Sequence, residues 1–235
     1  MQIQPTPIRV VIIDDHLLTR EGIRQQLERA SSLITIVGEG GAGEQVEPLV
    51  ERLRPDVLLL DLTMPWREGE RLWQAKELFE PVAAIERLQQ RFPATRILVV
   101  SQDMRQAVIE RLANAGAAGY LLKDDALSVN LVTAVRTVHN GGVCFSPDVT
   151  QYLMERRRTP GPEEALSERQ REILTLAILR ANSDNAEVAE ELAIAPSTYK
   201  WHLQNIREIM GVRTHAAALL KGVQMGLASP DALHF

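Results

Sequence analysis

The chain has 235 residues, enough for two ordinary domains with real cores, and its 45% apolar and 24% charged residues match a globular composition. A net charge of −5 excludes a surface that attracts polyanions everywhere, so any nucleic-acid contact must come from a local patch. The single cysteine, Cys144, rules out an intramolecular disulfide, and no apolar run reaches bilayer-crossing length. Flanked by Val143 and Phe145, Cys144 reads as a buried, inert thiol. Residues 1–9 carry two prolines and no apolar signal-peptide core, so a cytoplasmic protein without membrane association is expected.

Ile8 to Ile13 reads as a buried strand that ends in Asp14-Asp15-His16. Leu17, Leu18, Ile23 and Leu27 then recur at helical spacing, and Leu33 to Gly38 is a second strand. Val46, Leu49, Val50 and Leu53 mark a short helix stopped by Pro55. Val57 to Leu60 is apolar throughout, as in a strand buried on both faces, and it stops on Asp61 with Pro65 soon after. A long helix is expected from Glu70 to Arg91, kinked at Pro81. Arg96 to Ser101, Met104 to Ala115, Gly119 to Lys123 and Leu127 to His139 read as strand, helix, strand and helix. This alternation predicts a parallel sheet covered on both faces.

The strand ends carry the chemistry. They supply Asp14, Asp15, Asp61, Ser101 and Lys123, at the edge where open α/β sheets keep their ligands. A turn-capping role is the plain alternative for Asp61 taken alone. Clustered carboxylates, however, need a cation between them, and few hard oxygen ligands with room for water suit Mg²⁺. A hydroxyl and an ammonium opposite them could hold phosphoryl oxygens.

With Asp14-Asp15-His16, Arg20, Asp61-Leu62-Thr63-Met64-Pro65, Gly69, Ser101 and Gly116 to Asp124 in this order, residues 8–140 resemble the receiver domain of a two-component response regulator. The resemblance implies a flavodoxin-like five-stranded parallel sheet in the order 2-1-3-4-5. It implies Asp61 as phosphoacceptor; Asp14, Asp15, Asp61 and the Thr63 backbone carbonyl as Mg²⁺ ligands; Ser101 and Lys123 as phosphoryl contacts; and Tyr120 as the aromatic switch residue. One departure stands out: Gly69 and Pro93 lie much further apart than in the family. The extra stretch near Trp73 to Ala84 is expected to extend the third helix, about residues 70–92, either as a solvated helix or as a partner surface.

Arg156 to Glu164 has charge, proline and glycine without apolar periodicity, so residues 146–165 read as a linker between a domain at 1–145 and one at 166–235. From Leu166 the chain is helical. Ser167 is a good N-cap, Asn185 can cap a second helix, and Pro196 starts a third whose inward row is Tyr199, Leu203, Ile206 and Met210. His215 to Met225 is the fourth. Two short helices joined by the tight turn Ala193-Ile194-Ala195 form a helix-turn-helix.

Leu166 to Leu174, Val188 to Leu192, Ser197 to Leu203 and Met210 to Thr214 resemble the DNA-binding domain of NarL/FixJ (LuxR-type) regulators. The resemblance implies base-edge contacts from Lys200, Trp201 and Gln204, and phosphate or register contacts from Thr198, His202 and Arg207. Ala193 stands where the family has glycine. Residues 166–235 hold seven Lys/Arg against eight Asp/Glu, so binding by a monomer should be weak and a homodimer should be required. The expectation is a regulator that accepts a phosphoryl group from a histidine kinase and then binds promoter DNA, without turnover of an external substrate. A haloacid-dehalogenase-type hydrolase also uses an aspartate nucleophile with Mg²⁺, but the second aspartate of that family, two residues beyond the first, is absent here, where Thr63 stands. The alternative is a phosphorylation-independent regulator whose receiver is a protein-interaction module.

Overall fold

The computed structural model describes residues 6–30, 32–103, 105–123, 131–150, 166–181 and 183–227, with Gln106 described by its backbone alone. Strands β1 (Ile8–Ile13), β2 (Ile34–Gly40), β3 (Val57–Leu60), β4 (Arg96–Ser101), β5 (Gly119–Leu122) and β6 (Cys144–Phe145) form one parallel sheet in the order β2-β1-β3-β4-β5-β6. The anticipated five strands are in their expected order, and the two-residue β6 adds a sixth at the β5 edge. Gly119 permits this pairing, since a Cβ there would lie 2.3 Å from the Cys144 carbonyl oxygen. Bonding to β5 continues one residue past β6. Ser146 N donates to the Tyr120 carbonyl at 3.1 Å, and Ser146 Oγ accepts from Leu122 N at 3.3 Å. Ser146, expected as the start of the linker, is thus bonded to the sheet edge, and residues 147–150 are helical; residues 151–165, with the Arg156-Arg157-Arg158 run, lie outside the described residues.

Alternation along the strands sorts the core into two layers. Val10, Ile12, Leu59, Leu98 and Val100 pack with α1 (Leu17–Glu28) and α5 (Leu131–His139). Val11, Ile13, Leu58, Leu60, Ile97 and Val99 face α2 (Val46–Leu53), α3 (Pro81–Arg91) and α4 (Gln106–Ala115). Each such aliphatic side chain, fully withdrawn from water, contributes about 1.5–3 kcal/mol. Three successive strands, β1, β3 and β4, carry these side chains on both faces, which is why their sequences are apolar without alternation.

The extended third helix is not formed. α3 begins at Pro81, which occupies its first turn instead of kinking a longer helix. A proline costs nothing where the N–H has no intrahelical partner, and it disfavours helical geometry in the residue before it. Residues 66–80 fold instead as a tied-down loop. Pro65 pairs with Leu78 in an antiparallel bridge, Trp66 N donates to the Glu77 carbonyl at 3.0 Å, and Phe79 N donates to the Met64 carbonyl at 3.1 Å. Phe79 is buried, whereas Trp73 and Leu78 are exposed.

The second domain comprises α6 (Glu168–Leu179), α7 (Asn185–Glu191), α8 (Pro196–Met210) and α9 (His215–Gln224). Ser167 caps α6 as predicted, in a reciprocal pair with Gln170. The cap of α7 is Asp184 and not Asn185. The Asp184 carboxylate accepts from Ala186 N and Glu187 N at 2.8 and 2.9 Å, which a charged acceptor at a helix N-terminus does better than an amide. Asn185 is then free to reach the other domain, donating from Nδ2 to the Gly141 carbonyl at 3.0 Å. Tyr199, Leu203, Ile206 and Met210 form the buried row of α8, as their spacing predicts.

The domains share an interface. Thr214 Oγ1 donates to the Ala113 carbonyl at 2.7 Å, Gln224 Nε2 to Glu110 Oε1 at 2.6 Å, and Arg213 pairs with Glu86 at 3.3 Å. The apolar layer on the α3–α4 side continues through Phe145 and Val149 into Ile178, Leu219 and Val223 of the second domain.

Candidate functional site

Asp14 and Asp61 end neighbouring strands β1 and β3, whose registers place Ile13 beside Leu60. The adjacency brings the two carboxylates together at the carboxyl edge of the sheet, where both are buried. Lys123, following β5, reaches across β4: its Nζ lies 2.8 Å from Asp61 Oδ2 and 2.9 Å from Asp14 Oδ2. Asp61 Oδ1 accepts from Leu62 N at 2.7 Å, and Asp14 Oδ1 accepts from His16 N at 2.8 Å. Arg20 donates to the Asp14 carbonyl and holds this loop in place.

Charge decides the behaviour of the cluster. Burial raises the Asp61 carboxyl above its ordinary range and the neighbouring Asp14 charge adds to this, while hydrogen bonding and charge from Lys123 pull it back. Burial works against the Lys123 ammonium, but its two carboxylate partners outweigh that and keep it above its usual value. One ammonium among the Asp14, Asp15 and Asp61 carboxylates leaves the pocket short of positive charge.

Ligand atoms of Asp14, Asp15, His16 and Asp61 all lie within 4.8 Å of one another. Asp14 Oδ2 and Asp15 Oδ1 are buried oxygens that accept no well-directed hydrogen bond, even with Lys123 Nζ at 2.9 Å from the first and His16 Nδ1 at 2.8 Å from the second. Unsatisfied hard oxygens in a negatively charged pocket fit a divalent cation. Thr63 lies in the exposed turn after Asp61. His16 joins the cluster beyond the ligand set expected from sequence; its place directly after Asp14-Asp15 was the available signal.

Ser101 ends β4 and is buried beside Tyr120 of β5. Burial pushes the Tyr120 hydroxyl up to about 12, against a hydrogen bond with Ser101. Tyr120 OH also donates to the Asp103 carbonyl, and Asp103 N donates to Ser101 Oγ at 3.1 Å. Ser101, Asp103 and Tyr120 thus form one bonded unit. Asp103 was not legible in the sequence, because its part is played by backbone atoms.

The loop of residues 66–80 forms one wall of a cleft of about 760 Å³ that opens beside Asp15 and His16, with Arg71 and Trp73 on that wall and Arg20 opposite. The Arg71 guanidinium stacks 5.2 Å from the Trp73 ring centroid.

On the second domain, Thr198, Lys200, Trp201 and Gln204 are exposed on α8, while His202 and Arg207 are partly covered. Trp201 and His202 meet edge-on at 4.9 Å between ring centroids, and Gln204 Nε2 donates to Glu208 Oε1 at 3.1 Å. Lys200, Gln204 and Arg207 line a cleft facing the first domain. Among the described residues, no helix is long and apolar enough to cross a membrane.

Comparison with known proteins agrees with this division. The family "Response regulator receiver domain" matches residues 10–136, and "Bacterial regulatory proteins, luxR family" matches residues 164–221. The transcriptional regulatory protein DegU of Brevibacillus brevis is 31% identical over 96% of this chain and 97% of its own length. The probable transcriptional regulatory protein NarL of Mycobacterium tuberculosis is 33% identical over 95% and 97%. Among solved structures, a LuxR-family two-component response regulator from Aurantimonas sp. matches with TM-score 0.55 and 28% identity, over 65% of this chain and 99% of that one. The two-component response regulator RcsB in its DNA complex shares the fold at 22% identity, with TM-score 0.55 over 94% of this chain and 99% of that one.

Proposed function

The chain belongs to the two-component response regulators, with a receiver domain and a LuxR-type DNA-binding domain that control transcription, and from that premise we propose that Asp61 is the phosphoacceptor through which a partner histidine kinase switches it. The observation that carries this reading is the Lys123 ammonium set between the buried Asp61 and Asp14 carboxylates. In the transfer, an Asp61 oxygen attacks the phosphorus of a phosphohistidine, an acyl phosphate forms as the P–N bond breaks, and the donor imidazole takes up a proton. Two negatively charged reactants repel, so catalysis is positioning and charge neutralisation. Lys123 contributes a fixed positive charge and Ser101 a hydroxyl for the phosphoryl oxygens. Mg²⁺, held by Asp14, Asp15, Asp61 and the Thr63 carbonyl, would supply the remaining neutralisation.

The acyl phosphate adds oxygens that compete for Ser101. Because Ser101 is bonded to Asp103 and Tyr120, a shift of its hydroxyl is passed to the loop leading into α4. α4 in turn holds α9 through Ala113 and Glu110. Weakening those contacts would release the second domain. In the closed arrangement Lys200, Gln204 and Arg207 line the cleft shared with the receiver, which would hinder the approach of a duplex to them. Once freed, α8 would present Lys200, Trp201 and Gln204 to base edges and Thr198, His202 and Arg207 to phosphates, in a homodimer on promoter DNA. The lone buried Cys144 thiol suits a reducing cytoplasm.

The test is intact mass after incubation with acetyl phosphate and Mg²⁺, wild type beside Asp61→Asn, with sizing by light scattering. A phosphoryl adduct on wild type alone, accompanied by dimer formation, is the expected result. An adduct retained by Asp61→Asn would remove Asp61 from its role. No adduct with Mg²⁺ still bound would favour a receiver that acts only by protein contact.

A further inference from the structure

The cleft between the two domains has a one-sided charge. About 570 Å³ in volume, it is lined by Arg96 from the start of β4, His139 from the end of α5, Lys200 and Arg207 from α8, and Arg213 and His215 ahead of and within α9. Among the described residues, no aspartate or glutamate lines it. Arg213 is answered by Glu86, which stands outside the cleft. The side chains of Arg96, Lys200 and Arg207 make no hydrogen bond or ion pair with any described residue. Arg207 Nε and His215 Nε2 are buried without a partner. Buried polar atoms are nearly always satisfied, by protein or by something bound. Uncompensated positive charges gathered around one cleft also repel one another.

The cleft reports its own field. Burial, joined by the positive charges of Arg207 and Arg96, lowers the His215 imidazole to about 4, against a hydrogen bond with the Gly141 backbone. Around the cations stand neutral hydrogen-bonding groups: the side chains of Gln89, Asn140 and Asn185. Cations on both domains and amides between them suit a ligand with several negative oxygens, and the volume is that of a small-molecule site.

We propose that this interdomain cleft binds a small polyanion carrying a diphosphate group, held jointly by Arg96 of the receiver and by Lys200 and Arg207 of α8. Bound there, the anion cancels the repulsion and ties the two domains together, so its concentration tunes how readily the regulator opens. Lys200 and Arg207 cannot serve the anion and DNA at once; that consequence rests on the DNA face proposed above, whereas the binding itself does not.

The experiment is calorimetric titration of the unphosphorylated full chain with inorganic pyrophosphate and, separately, with ADP, against sulfate at matched ionic strength. Saturable binding of one pyrophosphate per chain is expected. Arg96→Gln and Lys200→Gln, both exposed positions, should each weaken it about tenfold or more without lowering the melting temperature of the ligand-free protein. Tighter binding of ADP than of pyrophosphate would identify a nucleotide as the source, and equal binding a free diphosphate. Absence of saturable binding, binding matched by sulfate, or full affinity in Arg96→Gln would overturn the proposal.

Discussion

Lys123 Nζ lies 2.8 Å from Asp61 Oδ2, and the two groups depend on each other in opposite directions. Asp61 needs the ammonium to offset its burial, and Lys123 needs the carboxylates to remain charged. Removing the cation by Lys123→Met leaves Asp14 and Asp61 as buried carboxylates without their ammonium countercharge. We expect a loss of about 3–5 kcal/mol at pH 7 in chemical denaturation. The deficit should shrink as the pH falls toward 5, because with its folded value raised further Asp61 takes up a proton and the stranded charge disappears. A deficit independent of pH would show that packing, not charge, was lost.

His215 sets a pH dependence for the closed arrangement. Its folded value of about 4 lies below the ordinary histidine value of about 6.5, so the closed state favours the neutral ring. Such a group contributes stability that is present above about pH 6.5 and lost as the pH falls toward 4. Between pH 7 and 5 the closed state should lose about 2 kcal/mol relative to one in which His215 is solvated. Small-angle scattering should show a growing radius over that interval in wild type. His215→Gln, which cannot be protonated, should abolish the change.

Ala193 has φ 53° in the turn between α7 and α8, a left-handed conformation that L side chains adopt at a cost. Ala193→Gly should therefore raise stability by up to about 1 kcal/mol, despite glycine's greater freedom in the unfolded chain. Thermal unfolding is the readout. An unchanged or lower midpoint would mean that the unfolded-state entropy outweighs the relief.

The loop of residues 66–80 separates anchoring from display. Phe79 is 5% exposed, and a Cβ added at Gly43 would meet its ring at 2.8 Å, whereas Trp73 is 75% exposed. Phe79→Ala should cost about 3–5 kcal/mol. Trp73→Ala should leave stability within about 0.5 kcal/mol of wild type. Equal effects of the two substitutions in denaturant titrations would contradict this division.

Local patterning made much of this protein legible. The unbroken apolar runs at Val10–Ile13, Val57–Leu60 and Ile97–Val100 dictate strands buried on both faces. A parallel sheet then brings the residues after them to one edge, so Asp14, Asp61, Ser101 and Lys123 could be grouped from order alone. The row Tyr199, Leu203, Ile206 and Met210 likewise follows from helical period. Three features depended on partners distant in the chain. Proline chemistry allows Pro81 either to kink a helix or to begin one, and the ladder joining Pro65–Trp66 to Glu77–Leu78 selects the second. Asp184 and Asn185 are both competent caps, and the Gly141 carbonyl that claims Asn185 decides between them. The direction in which α8 faces follows from the packing of α9 on α4, about a hundred residues earlier in the chain. Periodicity records which side of an element is apolar; it carries no record of which distant surface will cover the polar side, and that surface is what gathers Arg96, Lys200, Arg207 and His215 into one cleft.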